Sequence, residues 1–73
     1  MTPNQCQAAR ALLGWRCEDV ADAAGIGVAT VWRFEAGDNV RPSSIEAIRT
    51  ALESAGSAFI AKNGGGPGVR LPS

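Results

Sequence analysis

The sequence predicts a mainly α fold, a small helical bundle followed by a short C-terminal β extension. Three observations lead there. Apolar residues recur at helical spacing in four successive segments before residue 57. Each segment ends at or beside a glycine: Gly14, Gly25, Gly37 and Gly56. Beyond that point the composition changes to SAFIAKNGGGPGVRL, two short apolar runs around a glycine-rich turn. The chain therefore divides into a helical domain, 1–56, and a tail, 57–73.

The first helix starts at Thr2-Pro3-Asn4-Gln5. Thr2 can cap, Pro3 suits the first helical position and Gln5 closes a capping box. Cys6, Ala9 and Leu13 share a face, with Leu12 beside them, and Gly14 ends the helix. Trp15 follows in the connection, where its bulk either plugs the core or stacks on a base; the plug is the simpler reading. A second helix spans about Cys17 to Ala24. Arg16 is a poor cap, and Glu18 and Asp19 compensate through the helix dipole. Val20 and Ala24 face inward, Gly25 breaks the helix and Ile26 tucks back. A third helix spans about Val28 to Ala36, with Val31 and Phe34 inward and Gly37 as its stop. After the polar loop Asp38–Pro42, Ser43-Ser44-Ile45-Glu46 reads as a second capping box opening a fourth helix. Ile45, Ile48, Leu52 and Ala55 form its apolar stripe. In the tail, Phe59, Ile60, Val69 and Leu71 favour two strands over a flexible segment. A lone hairpin is marginal in water, so these four residues are expected to pack on the helices or to serve dimerisation by pairing with a second chain.

With 73 residues the chain holds one domain at most. A domain this small buries only about 60% of its unfolded surface, so a partner subunit would help it. Two cysteines cannot build a disulfide framework, and Cys6 and Cys17 read as free thiols in a reducing cytoplasm. The absence of histidine makes a zinc site a poor expectation. No signal pattern and no membrane-length apolar run is visible, so a soluble, cytoplasmic protein is expected. Nothing resembles a catalytic cluster or a cofactor site. NGGGPG lacks the lysine and following helix of a phosphate loop. No enzyme, cofactor or small-molecule substrate is expected. Seven basic and seven acidic residues cancel to a formal charge of zero. That weighs mildly against nucleic acid, although a net charge says nothing of how charges are distributed.

From Cys17 to Ala36 the pattern is tight. Small Ala21 lies mid-helix where a neighbour must approach, Gly25 marks the turn, and Ile26, Val31 and Phe34 share a core with Val20. Two short helices across such a turn make a helix-turn-helix. Here CEDVADAAGIGVATVWRFEAG resembles the helix-turn-helix of the XRE type, the lambda-repressor-like or Cro/C1 family of DNA-binding domains. The resemblance runs from Pro3 to about Gly56. It implies a bundle of four or five helices whose third helix enters the major groove of double-stranded DNA. It also implies a homodimer on a palindromic operator, with half-sites about one helical turn apart, and the tail is similar to the small β extension of short bacterial members.

Carried over by position, the base-reading places are Val28, Ala29, Trp32 and Arg33. The phosphate-contacting places are Arg16, Cys17, Gly27, Asn39 and Arg41, with Ser43 or Ser44 at the start of the fourth helix and Thr30 in reach. Arg10 and Glu35 match an ion pair joining the first and third helices; the alternative is two solvated side chains. If paired, Arg10 can still offer part of its guanidinium to a phosphate. The chain departs from the family where Cys17 stands for a glutamine, Gly27 for a hydroxyl residue, and Val28 and Ala29 for polar readers. Arg33 can pair bidentately with a guanine, and Val28 and Ala29 can contact thymine methyls. Trp32 either lies over sugar or thymine methyl, or packs on a neighbouring subunit or the loop. Two functions are therefore carried forward: a sequence-specific transcriptional regulator, possible autoregulation included, and a protein-binding module on the same fold, such as an antitoxin or an antagonist of another regulator.

Overall fold

In a computed structural model, residues 1–56 are described in full and 58–60 and 68–70 by their backbone alone. Four helices are found among the described residues: α1 (Pro3–Leu13), α2 (Cys17–Ala24), α3 (Val28–Glu35) and α4 (Pro42–Ser54). A fifth helix, within the range the resemblance implies, is not among them.

α1 begins as its sequence demands. The Thr2 hydroxyl accepts from the Gln5 amide at 3.1 Å, and the Gln5 side chain accepts from the Thr2 amide at 2.8 Å. Pro3 fills the first helical position, where no amide is missed. The ends of α1, α2 and α3 share one device. After α2, the Gly25 amide bonds to the Asp22 carbonyl and the Ile26 amide to that of Ala21. Gly25 takes φ 69°, a left-handed conformation that lacks a penalty only without a Cβ. The same paired bonds close α1 through Gly14 and Trp15, and α3 through Gly37 and Asp38. This geometry throws the residue after the glycine back across the last turn. Trp15 and Ile26 consequently pack against the core from the connections, so Trp15 is a plug.

The core takes two residues from each helix: Cys6 and Ala9, Val20 and Ala21, Val31 and Phe34, Ile48 and Leu52. α2 packs against both α3 and α4, and Ala21, 3% exposed, is the small residue that permits the approach. Leu12, placed beside the inner face by the sequence reading, is exposed instead. One residue along a helix is a rotation of about 100°, and Leu13 takes the inward position.

The second capping box does not form. α4 starts at Pro42, with Arg41 as an N-cap that makes no side-chain bond. Proline is already helical at the first position, which places Ser43 and Ser44 inside the first turn and leaves Ser43 no capping role. The backbone of Ala58–Ile60 (β1) pairs antiparallel with that of Gly68–Arg70 (β2), with Phe59 opposite Val69. β2 runs near α1. The side chains of Phe59, Ile60 and Val69, and all of Leu71, lie outside the described residues, so the dimerisation role expected of them is not addressed by the fold. Among the described residues, no helix is long and apolar enough to cross a membrane.

Candidate nucleic-acid interface

The turn from α2 into α3 sets the outer face of α3. Val31 and Phe34 point inward, so Ala29, Trp32 and Arg33 point out, and all three are exposed. Trp32 is 53% exposed, an unusual state for so large an apolar side chain. Val28, the fourth of the expected base readers, is half-buried and packs on the core. Its methyls serve the fold first. Gly27 precedes the helix and supplies no side-chain cap.

Beside this face lies a polar notch of about 390 Å³ lined by Thr30, Arg33, Asn39, Val40, Arg41 and Ser44. Three chain segments meet there: α3, the loop after it, and the first turn of α4. Arg33 reaches across to the Asn39 carbonyl with Nη2 at 3.4 Å, a long contact that leaves the guanidinium available. Residues carrying two guanidiniums, two hydroxyls and an amide thus line one concave site, groups of the kind that donate to phosphate oxygens. Ser43 and Ser44 are separated. Ser44 lines the notch, whereas Ser43 faces a different groove between α2 and α4, lined also by Trp15 and Glu46.

The remaining phosphate positions are held differently from one another. Arg16 is exposed, and its contact to Glu18 is 3.4 Å between side chains 79% and 51% exposed, an arrangement that breaks at little cost. Arg10 is held by three hydrogen bonds and keeps part of its side chain open to solvent. Its Nε and Nη2 donate to the two oxygens of Glu35 at 2.6 and 2.7 Å, and Nη1 donates to the Trp15 carbonyl at 3.3 Å. This bidentate pair ties α1 to α3. The Glu35 hydrogen bond is the main cause of the raised pKa of Arg10.

One feature of the joint escaped the sequence reading. The Cys6 thiol donates to Glu35 Oε2 at 3.2 Å, and Cys17 Sγ lies 3.8 Å from the same oxygen. Cys17, expected at a phosphate, turns its thiol inward and is only half-exposed. Burial first, and the Glu35 carboxylate after it, push both thiols above the ordinary value. The available signal was Cys6, one turn before Arg10: whatever Arg10 pairs with, Cys6 faces too. The chain matches no family model, and no curated protein matches it.

Proposed function

We propose that the protein is a sequence-specific DNA-binding transcriptional regulator that occupies a palindromic operator as a homodimer, with α3 in the major groove. The supporting observation is the convergence of Arg33, Arg41, Thr30, Asn39 and Ser44 on one notch beside the exposed face of α3. An α-helix such as α3 has a diameter of about 10–12 Å with its side chains, comparable to the width of the major groove, about 12 Å. In this reading Arg33 reads a guanine, Ala29 and Trp32 contact thymine methyls or sugar, and Arg41, Asn39, Ser44, Thr30 and Arg16 hold the backbone. Arg10 braces α1 against α3 through Glu35, and the part of its guanidinium left open to solvent is offered to a phosphate. The tail, through Phe59, Ile60, Val69 and Leu71, is the β extension that joins two subunits in the cytoplasm.

A second reading, a protein-binding module on the same fold, draws on the exposed Trp32 and on the apolar groove between α2 and α4. A footprint of the purified protein on DNA upstream of its own gene, at two salt concentrations, separates the two. Paired protected half-sites about one helical turn apart, weakening as salt rises, are expected. Protection at no site, or salt-insensitive retention of a protein partner alone, would overturn the DNA reading.

A further inference from the structure

Two thiols from different helices approach one carboxylate oxygen. Cys6 Sγ and Cys17 Sγ lie 3.2 and 3.8 Å from Glu35 Oε2, so the sulfurs are within the sum of those distances, about 7 Å, of each other. They differ in access: Cys6 is wholly buried, while Cys17 is partly open to solvent. Cys17 is the first residue of α2, directly after the short Gly14–Arg16 connection, and it packs at the edge of the core that holds Cys6. The geometry points to a dithiol–disulfide switch, in which a hydroperoxide oxidises Cys17 and Cys6 resolves it into an intramolecular bond pinning α2 to α1. This inference does not depend on the DNA reading.

The steps balance as follows. Cys17 loses its proton to solvent and its thiolate attacks one peroxide oxygen. The O–O bond breaks, and the departing hydroxide takes up a proton and leaves as water. Cys17 is then a sulfenic acid, and the peroxide has been reduced by two electrons. The Cys6 sulfur attacks the Cys17 sulfur, the S–O bond breaks, and the leaving hydroxide carries off the Cys6 proton as a second water. Both thiol hydrogen bonds to Glu35 are lost, while the Arg10 contacts to that carboxylate do not involve either sulfur. Arg16, next to Cys17, moves with the first turn of α2. Because the thiolate is the reactive form and both thiols are held protonated by burial and by Glu35, oxidation is slow at neutral pH and accelerates as pH rises.

The test uses the full reduced chain treated with hydrogen peroxide, then unfolded and alkylated with a maleimide for intact mass. The expected product is a monomer two hydrogens lighter that takes up no maleimide and regains two reactive thiols on reduction. Its formation rate should rise about tenfold from about pH 7.5 to 8.5. Cys17→Ser should leave Cys6 alkylatable throughout, and Cys6→Ala should stop Cys17 at the sulfenic acid or beyond. Persistence of two free thiols in the wild-type chain, sulfinic acid on Cys17 with Cys6 still reduced, or a disulfide between chains would each overturn the inference. The wild-type measurement stands even where a variant fails to fold.

Discussion

Arg10→Ala tests the joint between α1 and α3. It strips the Glu35 carboxylate, whose side chain is only 9% exposed, of two charge-assisted donors at 2.6 and 2.7 Å. The thiols left beside it are weak donors. Removing one partner of a buried pair costs about 3–5 kcal/mol, chiefly because the other charge stays buried. Arg10 is 23% exposed, so water reaches the site and the low end applies, about 3 kcal/mol. Glu35→Ala is milder, about 2 kcal/mol, because the longer guanidinium can swing out to solvent. At roughly 0.05–0.15 kcal/mol per residue, a 73-residue domain holds about 4–11 kcal/mol in all. Arg10→Ala therefore removes a large share. The exposed Arg49–Glu53 pair supplies the control, since breaking an i,i+4 surface pair costs about 0.3–0.5 kcal/mol. Urea unfolding followed by circular dichroism measures all three variants and the Arg10→Ala/Glu35→Ala double variant. A coupling of about 2 kcal/mol is expected across the cycle. An Arg10→Ala loss no larger than that of Arg49→Ala, or simple additivity, would refute the assignment of the pair as the joint.

Other outcomes are expected at separate points of the molecule. Both thiols titrate above their ordinary value of 9.0 in the folded state, so the folded chain retains protons that the unfolded chain releases. Stability is then fully present below about pH 9 and falls above it, for the buried Cys6 by up to about 1.4 kcal/mol per pH unit; urea midpoints at rising pH check this, and Cys6→Ala should flatten the decline. Arg33→Ala should reduce operator binding more than binding to random DNA, whereas Arg41→Ala should weaken both and flatten the salt slope; equal losses from Arg33→Ala in a gel-shift titration would remove it as a base reader. Gly25→Ala meets open space but a φ of +69°, so only backbone strain opposes it and a loss of about 1–2 kcal/mol is expected in thermal unfolding. If the proposed homodimer pairs through its tail, deleting residues 57–73 should leave a monomer in sedimentation; a truncated chain that still dimerises would place the interface on the helices.

The helices were legible because their signals are local. Glycine stops, helical spacing and the Thr2–Gln5 capping box all act within a turn or two, and they fix where α1, α2 and α3 begin and end to within a residue. At the start of α4 two local signals compete. Ser43 through Glu46 spell a capping box, but Pro42 enters the helix first and moves both serines inside it. The site was less legible for a geometric reason. Ser43 and Ser44 are neighbours in sequence yet about 100° apart on the helix, so Ser44 lines the arginine notch and Ser43 a different groove. Periodicity assigns faces to single helices and cannot say which charges meet across them. Arg10 and Glu35 are 25 residues apart, and only the resemblance proposed their pairing. The meeting of Cys6 and Cys17 at Glu35 follows from that pairing and could not be read before it.

The neutral charge takes on a different meaning once the partners are known. Arg10 is committed to Glu35, and Arg49 contacts Glu53. Arg16 is held only loosely by Glu18, while Arg33 and Arg41 line the notch with no ion pair to a carboxylate among the described residues. Zero net charge is thus compatible with exposed cations at the proposed interface, because it counts charges without regard to where they stand. Glu35 links the two roles. It lies two residues beyond Arg33 on α3, about 200° around the helix, so fixing Glu35 inward against Arg10 fixes Arg33 outward. A chain whose α3 carries so few polar readers depends on that angle more than one with many, because a single bidentate contact tolerates little rotation. Disturbing the Glu35 joint should therefore cost sequence discrimination even where the domain remains folded.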